Sequence, residues 1–183
     1  MKLTESSIAG AWIAESSVHQ DNRGAFSRLF CADEEQAVLG DRKIVQINHS
    51  LTRAVGAVRG MHYQKPPQAE MKIVRCLRGR VLDIAVDLRK GSPTFLTWAA
   101  VELTPASRQS FIIPEGCAHG FQVLEENSEL LYLHTAFYTP AAEGAVRYDD
   151  PAIGIDWPLP PTDLSARDLG HPYLDTRFEG ISL

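Results

Sequence analysis

Residues 71–88 read MKIVRCLRGRVLDIAVDL and carry the clearest secondary-structure signal of the chain. Over 72–77 the side chains fall alternately on two faces, and the tight-turn sequence RGR follows at 78–80. After the turn every second residue is apolar: Leu82, Ile84, Val86 and Leu88. A period of two places these side chains on one face of a strand, with Asp83 and Asp87 on the other. The pattern predicts a β-hairpin.

The rest of the chain continues this pattern of short apolar runs separated by turns. Its 13 Gly and 11 Pro favour many strands over long helices. Further strands are predicted over 43–50, 57–63, 97–103, 110–113, 118–124 and 129–138, and short helices over 33–39 and from Ser165. No repeat or linker is visible, so we expect residues 1–183 to form a single all-β domain, a sandwich or barrel. The proline-rich residues after Asp149 should wrap it as an ordered tail.

The composition excludes several classes of protein. Of the 183 residues 44% are hydrophobic and 22% charged, which is typical of a packed globular protein. The net charge of −5 argues against a nucleic-acid-binding protein, whose surface is usually basic. No apolar run approaches the ~18 residues of a membrane span, and the amino terminus lacks the apolar segment of a secretory signal. Cys31, Cys76 and Cys117 lack paired spacing and indicate reduced thiols, so we expect a cytoplasmic protein with no membrane partner.

Residues 114–119 (PEGCAH) have a P-x-G-x-x-H spacing that resembles the second motif of the cupin barrels. In cupins this histidine lies at the barrel mouth, where it often binds a metal. The first cupin motif normally supplies H-x-H and a later glutamate, but here residues 62–64 read HYQ. A catalytic transition metal usually needs at least three protein ligands. His62 and His119 alone therefore predict a barrel mouth without a metal.

His62 is the candidate for proton transfer, because imidazole chemistry suits neutral pH. It lies in the stretch 59–67 (RGMHYQKPP), with Lys72 close behind. Cationic Arg59 and Lys72 suit an anionic substrate or a developing oxyanion. Strict alternation places Arg59 and His62 on opposite faces of a strand. A β-bulge near Gly60 is therefore required for both to face one cavity.

Several motifs together resemble the dTDP-4-dehydrorhamnose 3,5-epimerase family. They lie in order between about residues 10 and 174: 59–64 (RGMHYQ), 72–76 (KIVRC), 92–95 (SPTF), 113–121 (IPEGCAHGF), 149–151 (DDP) and 155–159 (IDWPL). The resemblance implies a cupin-type jelly roll, a homodimer that exchanges amino-terminal strands, and no metal or organic cofactor. It further implies inversion of the carbons beside the ketone of a nucleotide-diphosphate 4-keto-6-deoxy sugar.

The resemblance also implies four catalytic roles. His62 is the base that removes a proton next to the ketone, and Asp168 is the carboxylate that orients it. Lys72 stabilises the enolate oxygen, and Tyr132 is the acid on the opposite face of the sugar. The remaining positions carried over are substrate contacts: Arg23, Arg28, Gln46, Asn48, Arg59, His119, Tyr138, Glu143 and Arg167.

Three of these residues also have a structural interpretation. Residues 165–168 (SARD) match the S-x-x-D pattern of a capping box, so Asp168 could belong to a helix start. Tyr132 and Tyr138 share one face of the predicted strand 129–138 and could be core or rim aromatics. Six residues of strand would separate them by ~20 Å, a span that a nucleotide sugar can bridge. The family pattern then puts Tyr132 at the sugar and Tyr138 against the base.

Arg28 is a departure from the family pattern, which usually has a glutamate at this position near thymine. A carboxylate accepts the N3–H of thymine, whereas an arginine only donates and suits an acceptor such as cytosine. A dTDP-linked sugar, a CDP-linked sugar, and an Arg28 directed at phosphate or solvent are therefore all open. A keto-isomerising enzyme and a non-catalytic sugar-binding cupin are further alternatives. The sequence leaves open whether carbon 3, carbon 5 or both are inverted.

Overall fold

The computed structural model describes residues 1–183 and contains thirteen strands and three short helices. The strands are β1 (Lys2–Glu5), β2 (Trp12–Glu15), β3 (Val18–Asp21), β4 (Gly24–Ser27), β5 (Gln46–Thr52), β6 (Val58–Gln64), β7 (Lys72–Arg78), β8 (Val81–Asp87), β9 (Trp98–Leu103), β10 (Gln109–Ile113), β11 (Cys117–Val123), β12 (Ser128–His134) and β13 (Glu143–Ala145). The helices are α1 (Gln36–Leu39), α2 (Ala166–Gly170) and a 3-10 turn (Pro140–Ala142).

Eleven of the strands form two antiparallel sheets with a common core. The six-stranded sheet has the order β1-β2-β10-β7-β12-β5 and the five-stranded sheet the order β13-β6-β11-β8-β9. β3 and β4 pair only with each other. Buried side chains from both sheets, such as Val74 and Phe121, form one cluster of 16 residues. The predicted all-β, cupin-type jelly roll is confirmed.

The hairpin predicted for residues 71–88 is wrong, although both of its strands are present. β7 lies in the six-stranded sheet and β8 in the five-stranded sheet, so the turn between them crosses from one sheet to the other. Each strand buries both of its faces. Val74 and Ala85 belong to the shared core, whereas Ile73 and Ile84 pack under separate outer layers. Alternation specifies the faces of a strand but not its pairing partner.

The other predicted elements are confirmed with shifted ends, and β1–β4 and β13 were not predicted. α1 occupies only the last part of the predicted helix 33–39, and α2 begins directly after Ser165. The strand predicted over 129–138 ends at His134, and the N–H of Tyr138 donates to the Gln46 side chain rather than to a strand. The ~20 Å separation of Tyr132 and Tyr138, which assumed a continuous strand, therefore loses its basis.

The tail after Asp149 covers the outer face of the five-stranded sheet, as predicted. Trp157, Leu174 and Phe178 pack against a buried cluster that includes Met61 of β6. Burial of such apolar surface, worth ~25 cal/mol per Å², holds an otherwise irregular segment in place. The tail also brings α2 against β6.

The cysteines and the helices give two further findings. All three cysteines are free, and Cys76 and Cys117 are buried. Burial raises the pKa of the Cys76 thiol to about 11, so this thiol stays protonated near neutral pH. None of the helices has the length and apolar character that crossing a membrane demands.

Candidate active site

A cavity of about 570 Å³ lies between the two sheets and is lined mainly by polar side chains. It brings together six of the predicted site residues: Asn48, Arg59, His62, Lys72, His119 and Tyr132. Five further residues complete the lining: Ile47, His49, Ser50, Phe121 and His134. A mostly polar cavity of this size suits a sugar better than an apolar ligand.

A β-bulge in β6 lets Arg59 and His62 line the same cavity. His62 pairs with His119 of β11, whereas Arg59 pairs with Phe121, so residues 60–61 oppose a single residue of β11. The extra residue reverses the alternation between the two side chains. The bulge predicted near Gly60 is confirmed.

The bulge requires a close approach of two backbones, which only glycines permit. Gly60 has a φ of +144°, and a Cβ at this position would lie 2.6 Å from the Cα of Gly120. A Cβ on Gly120 would lie 2.7 Å from the carbonyl oxygen of Arg59. The facing glycines therefore set the direction of the His62 side chain.

Asp168 of α2 holds the imidazole of His62. The His62 Nε2 lies 2.7 Å from Asp168 Oδ1, and the carboxylate is almost fully buried. Burial opposes ionisation, but the hydrogen bond and charge of His62 outweigh it and hold the pKa of Asp168 below its usual range. An ionised Asp168 accepts the proton on Nε2, which leaves Nδ1 as the nitrogen that can accept a proton.

Asp168 takes part both in the cap of α2 and in the contact with His62. Its backbone N–H donates to Ser165 Oγ at 3.0 Å, which caps α2. Its carboxylate contacts the imidazole of His62. A five-residue helix is not stable alone, so the cap and the His62 contact together fix this part of the tail.

Lys72 and His119 are also paired with buried carboxylates. Lys72 Nζ lies 3.2 Å from Glu70 Oε1 and 3.4 Å from the carbonyl oxygen of His62. His119 Nε2 lies 2.8 Å from Asp83 Oδ1. Asp83 is completely buried, and this burial raises its pKa. Both basic side chains are therefore oriented before any ligand arrives.

Tyr132 lines the cavity from the six-stranded sheet, whereas His62 belongs to the five-stranded sheet. Its hydroxyl lies 2.9 Å from Ser50 Oγ. Its ring meets His119 edge-on at 6.1 Å and stacks on His134 at 6.2 Å. Burial raises the pKa of Tyr132 well above its ordinary value, so near neutral pH the phenol is protonated and can serve as a donor.

Four other predicted contacts form a polar network at the rim of this cavity. Arg167 Nη1 donates to Glu143 at 3.0 Å. Its Nη2 lies 3.2 Å from His62 Nε2, which is not a hydrogen bond in the tautomer that carries its proton on Nε2. Tyr138 donates through its hydroxyl to Glu143 at 3.3 Å and through its N–H to Gln46 at 3.0 Å. A second depression of about 470 Å³ is lined in part by Arg59, His62, Arg167 and Asp168.

Arg23 and Arg28 are not brought to the cavity by their own chain. Arg23 pairs with Asp21 at the exposed turn between β3 and β4, at 2.6 Å. Arg28 pairs with Glu34 close to the same hairpin. Within this chain both guanidinium groups are therefore paired with nearby carboxylates, away from the predicted sugar site.

Sequence reasoning did not assign functional roles to Glu70, Asp83 or His134. The available signal was a carboxylate within or beside a strand that is otherwise apolar, because such a group requires a partner. Glu70 also precedes Lys72 by two residues, the spacing that places side chains on one face of an extended chain. No group of three or more His, Cys, Asp or Glu side chains is arranged to hold a metal ion.

The fold is a double-sheet jelly roll whose cavity holds a His–Asp pair on the side of one sheet and a tyrosine from the other sheet. The family model described as dTDP-4-dehydrorhamnose 3,5-epimerase matches residues 5–176, and the chain belongs to this family. It is 42% identical to the dTDP-4-dehydrorhamnose 3,5-epimerase of Salmonella typhimurium, over 96% of each chain.

Solved structures show the same similarity. The dTDP-6-deoxy-D-glucose-3,5-epimerase of Legionella pneumophila, in complex with dTDP-4-keto-L-rhamnose, has a TM-score of 0.90 and 36% identity over 98% of this chain and 97% of that one. ChmJ, a 3'-monoepimerase from Streptomyces bikiniensis in complex with dTDP-quinovose, has a TM-score of 0.84 and 35% identity, over 91% and 85% of the two chains.

Replacing the carboxylate of Asp168 tests the His62 pair. We expect Asp168→Asn to lower kcat by roughly 10²- to 10⁴-fold, because an amide neither balances an imidazolium nor fixes the ring nitrogen that carries the proton. Ser165→Ala is the matched control, which should cost ~1 kcal/mol of unfolding free energy while leaving the carboxylate in place. Steady-state kinetics and urea unfolding measure both effects. Near-normal turnover by Asp168→Asn would contradict the assignment.

Proposed function

We propose that the protein epimerises a dTDP-linked 4-keto-6-deoxyhexose at carbon 3, carbon 5 or both, in deoxysugar synthesis for a polysaccharide or glycosylated metabolite. The observation that carries this proposal is that His62 and Tyr132 line one cavity from opposite sheets. A sugar ring between them would meet a base on one face and an acid on the other. The proposal includes a cytoplasmic location, which the free thiols support.

The first step is removal of a proton from the carbon beside the ketone. His62 Nδ1 accepts the proton, while Asp168 at Nε2 balances the imidazolium that forms. The C–H electron pair becomes the C=C bond of the enolate, and the carbonyl electron pair moves to oxygen. Lys72 provides a positive charge for that oxygen.

The second step returns a proton to the same carbon from the other face. The Tyr132 hydroxyl donates it as the C=O bond forms again, and the configuration is inverted. Because burial makes the phenol a poor acid, nearby positive charge must assist this transfer. Solvent then takes the proton from the His62 imidazolium and returns one to the Tyr132 phenolate, which restores both groups. We propose that no metal or organic cofactor takes part.

The nucleotide is proposed to be dTDP rather than CDP. The relatives with bound ligands hold dTDP-linked sugars. Arg28, on which the CDP alternative rested, is paired with Glu34 within this chain. Arg59 and Arg167 at the cavity and its rim suit the diphosphate, because a guanidinium can bind two phosphate oxygens together.

Isotope exchange from solvent tests the reaction. In D₂O we expect deuterium at the inverted carbon of a dTDP-linked 4-keto-6-deoxyhexose, read by mass spectrometry and NMR. His62→Ala should lower this exchange at least ~10³-fold, because the base is lost. His171→Ala, at an imidazole outside the cavity, is the control.

The outcomes separate the alternatives. A protein that binds the nucleotide sugar without exchange would be a binding cupin, and exchange that ends in a moved ketone would identify an isomerase. Faster exchange with the CDP-linked sugar would contradict the choice of nucleotide. Deuterium at carbon 3 alone or at both carbons distinguishes single from double epimerisation.

We further propose a homodimer in which the hairpin β3–β4 is exchanged. This hairpin pairs with no other strand of its chain, and an isolated hairpin is only marginally stable. Its Phe26 is 73% exposed, and Ile47 on the edge strand β5 is 61% exposed. In the dimer, the partner chain would cover both side chains. The exchange would also bring Arg23 of each chain to the cavity of the other chain.

Co-expression of two inactive variants tests whether the hairpin is exchanged between subunits. The His62→Ala and Arg23→Ala variants are co-expressed and their activity compared with each variant alone. If Arg23 acts in the partner's site, half of the dimers regain one good site, so about one quarter of normal activity returns. No recovery, together with a monomer in sedimentation velocity, would contradict the exchanged dimer. The two variants mixed without subunit exchange are the control.

A further inference from the structure

Glu70 lies behind the cavity and binds two of its lining residues at once. One carboxylate oxygen is 3.2 Å from Lys72 Nζ, and the other is 2.8 Å from His134 Nδ1. All three side chains are nearly buried, with exposed fractions of 7% for Glu70, 12% for Lys72 and 10% for His134. Glu70 itself does not line the cavity.

The electrostatics of this group are consistent with an ionised carboxylate. Burial opposes ionisation of Glu70, but the hydrogen bond from His134 and the charge of Lys72 outweigh it and lower its pKa. Removing this buried carboxylate would leave the Lys72 ammonium without its partner, which is strongly destabilising for a buried charge.

A chain of hydrogen bonds connects Glu70 to the rim of the cavity and orients each polar side chain along it. The Tyr138 N–H donates to Gln46, the Gln46 amide to Asn48, and the Asn48 amide to His134 Nε2. His134 Nδ1–H then donates to Glu70. In this arrangement each donor meets an acceptor, and Glu70 is the acceptor at the inner end.

We propose that Glu70 is a positioning residue, which holds the Lys72 ammonium in the cavity and fixes the tautomer of His134 that stacks on Tyr132. This inference rests on the proposed function, in which Lys72 stabilises the enolate oxygen. The pairing β7–β12 places Lys72 directly opposite His134. One carboxylate can therefore orient the group that stabilises the oxyanion and the ring packed on the proton donor.

Substitution of Glu70 tests this role by separating kcat from KM. We expect Glu70→Gln to lower kcat ~10- to 100-fold with KM changed less than about threefold, because the ammonium loses its fixed position but the substrate contacts remain. Glu70→Asp keeps the charge and should retain more activity than Glu70→Gln. Glu102→Gln, at an exposed carboxylate of β9, is the matched control and should match the original protein. An unchanged kcat in Glu70→Gln overturns the proposal.

A second measurement needs no substitution of Glu70. The ¹⁵N signals of the His134 ring in the unaltered protein report which nitrogen carries the proton, with assignment by comparison with His134→Gln. Protonation at Nδ1 supports the role of Glu70, and protonation at Nε2 alone overturns it. The two proposals fail separately. Absence of exchange in the unaltered protein contradicts the epimerase, whereas normal exchange with an unchanged Glu70→Gln contradicts only the role of Glu70.

Discussion

The contact between His62 Nε2 and Asp168 Oδ1, at 2.7 Å, connects the two parts of the molecule on which the site depends. His62 belongs to a strand of the inner barrel, and Asp168 belongs to a short helix in the tail that wraps its outside. The apolar packing of that tail therefore serves more than stability, because it places a carboxylate against His62, the proposed base. The bulge opposite Gly120 is the complementary requirement, since it turns His62 into the cavity beside Arg59.

The same arrangement is repeated around the cavity. His62 has Asp168, His119 has Asp83, and Lys72 shares Glu70 with His134. In each case a basic group at the cavity surface is backed by a carboxylate that is removed from solvent. Pairing of this kind fixes ring nitrogens and ammonium groups before a ligand binds, which lowers the reorganisation needed during proton transfer. The jelly roll supplies the geometry, because its two sheets present such residues from opposite sides.

Local alternation in the sequence was sufficient to predict the central strands of the two sheets and the bulge near Gly60. Six of the eleven residues that line the cavity were predicted, mainly through the family resemblance rather than from local patterns. The sequence was not sufficient for the pairing of β7 and β8, because both strands are buried on two faces and alternation carries no information about partners. The amino-terminal strands were missed, and the network around Glu70 depends on contacts between β7, β12 and β5 that no local pattern encodes.

In the proposed reaction, proton removal and proton return occur on opposite faces of one carbon. Its most direct test is the Tyr132→Phe variant in D₂O, with Tyr173→Phe as a control at an exposed tyrosine. We expect substrate that gains deuterium at the carbon beside the ketone but keeps its configuration, because His62 still removes and returns hydrogen from its own side. Inversion at the normal rate in Tyr132→Phe, or loss of all exchange, would contradict it.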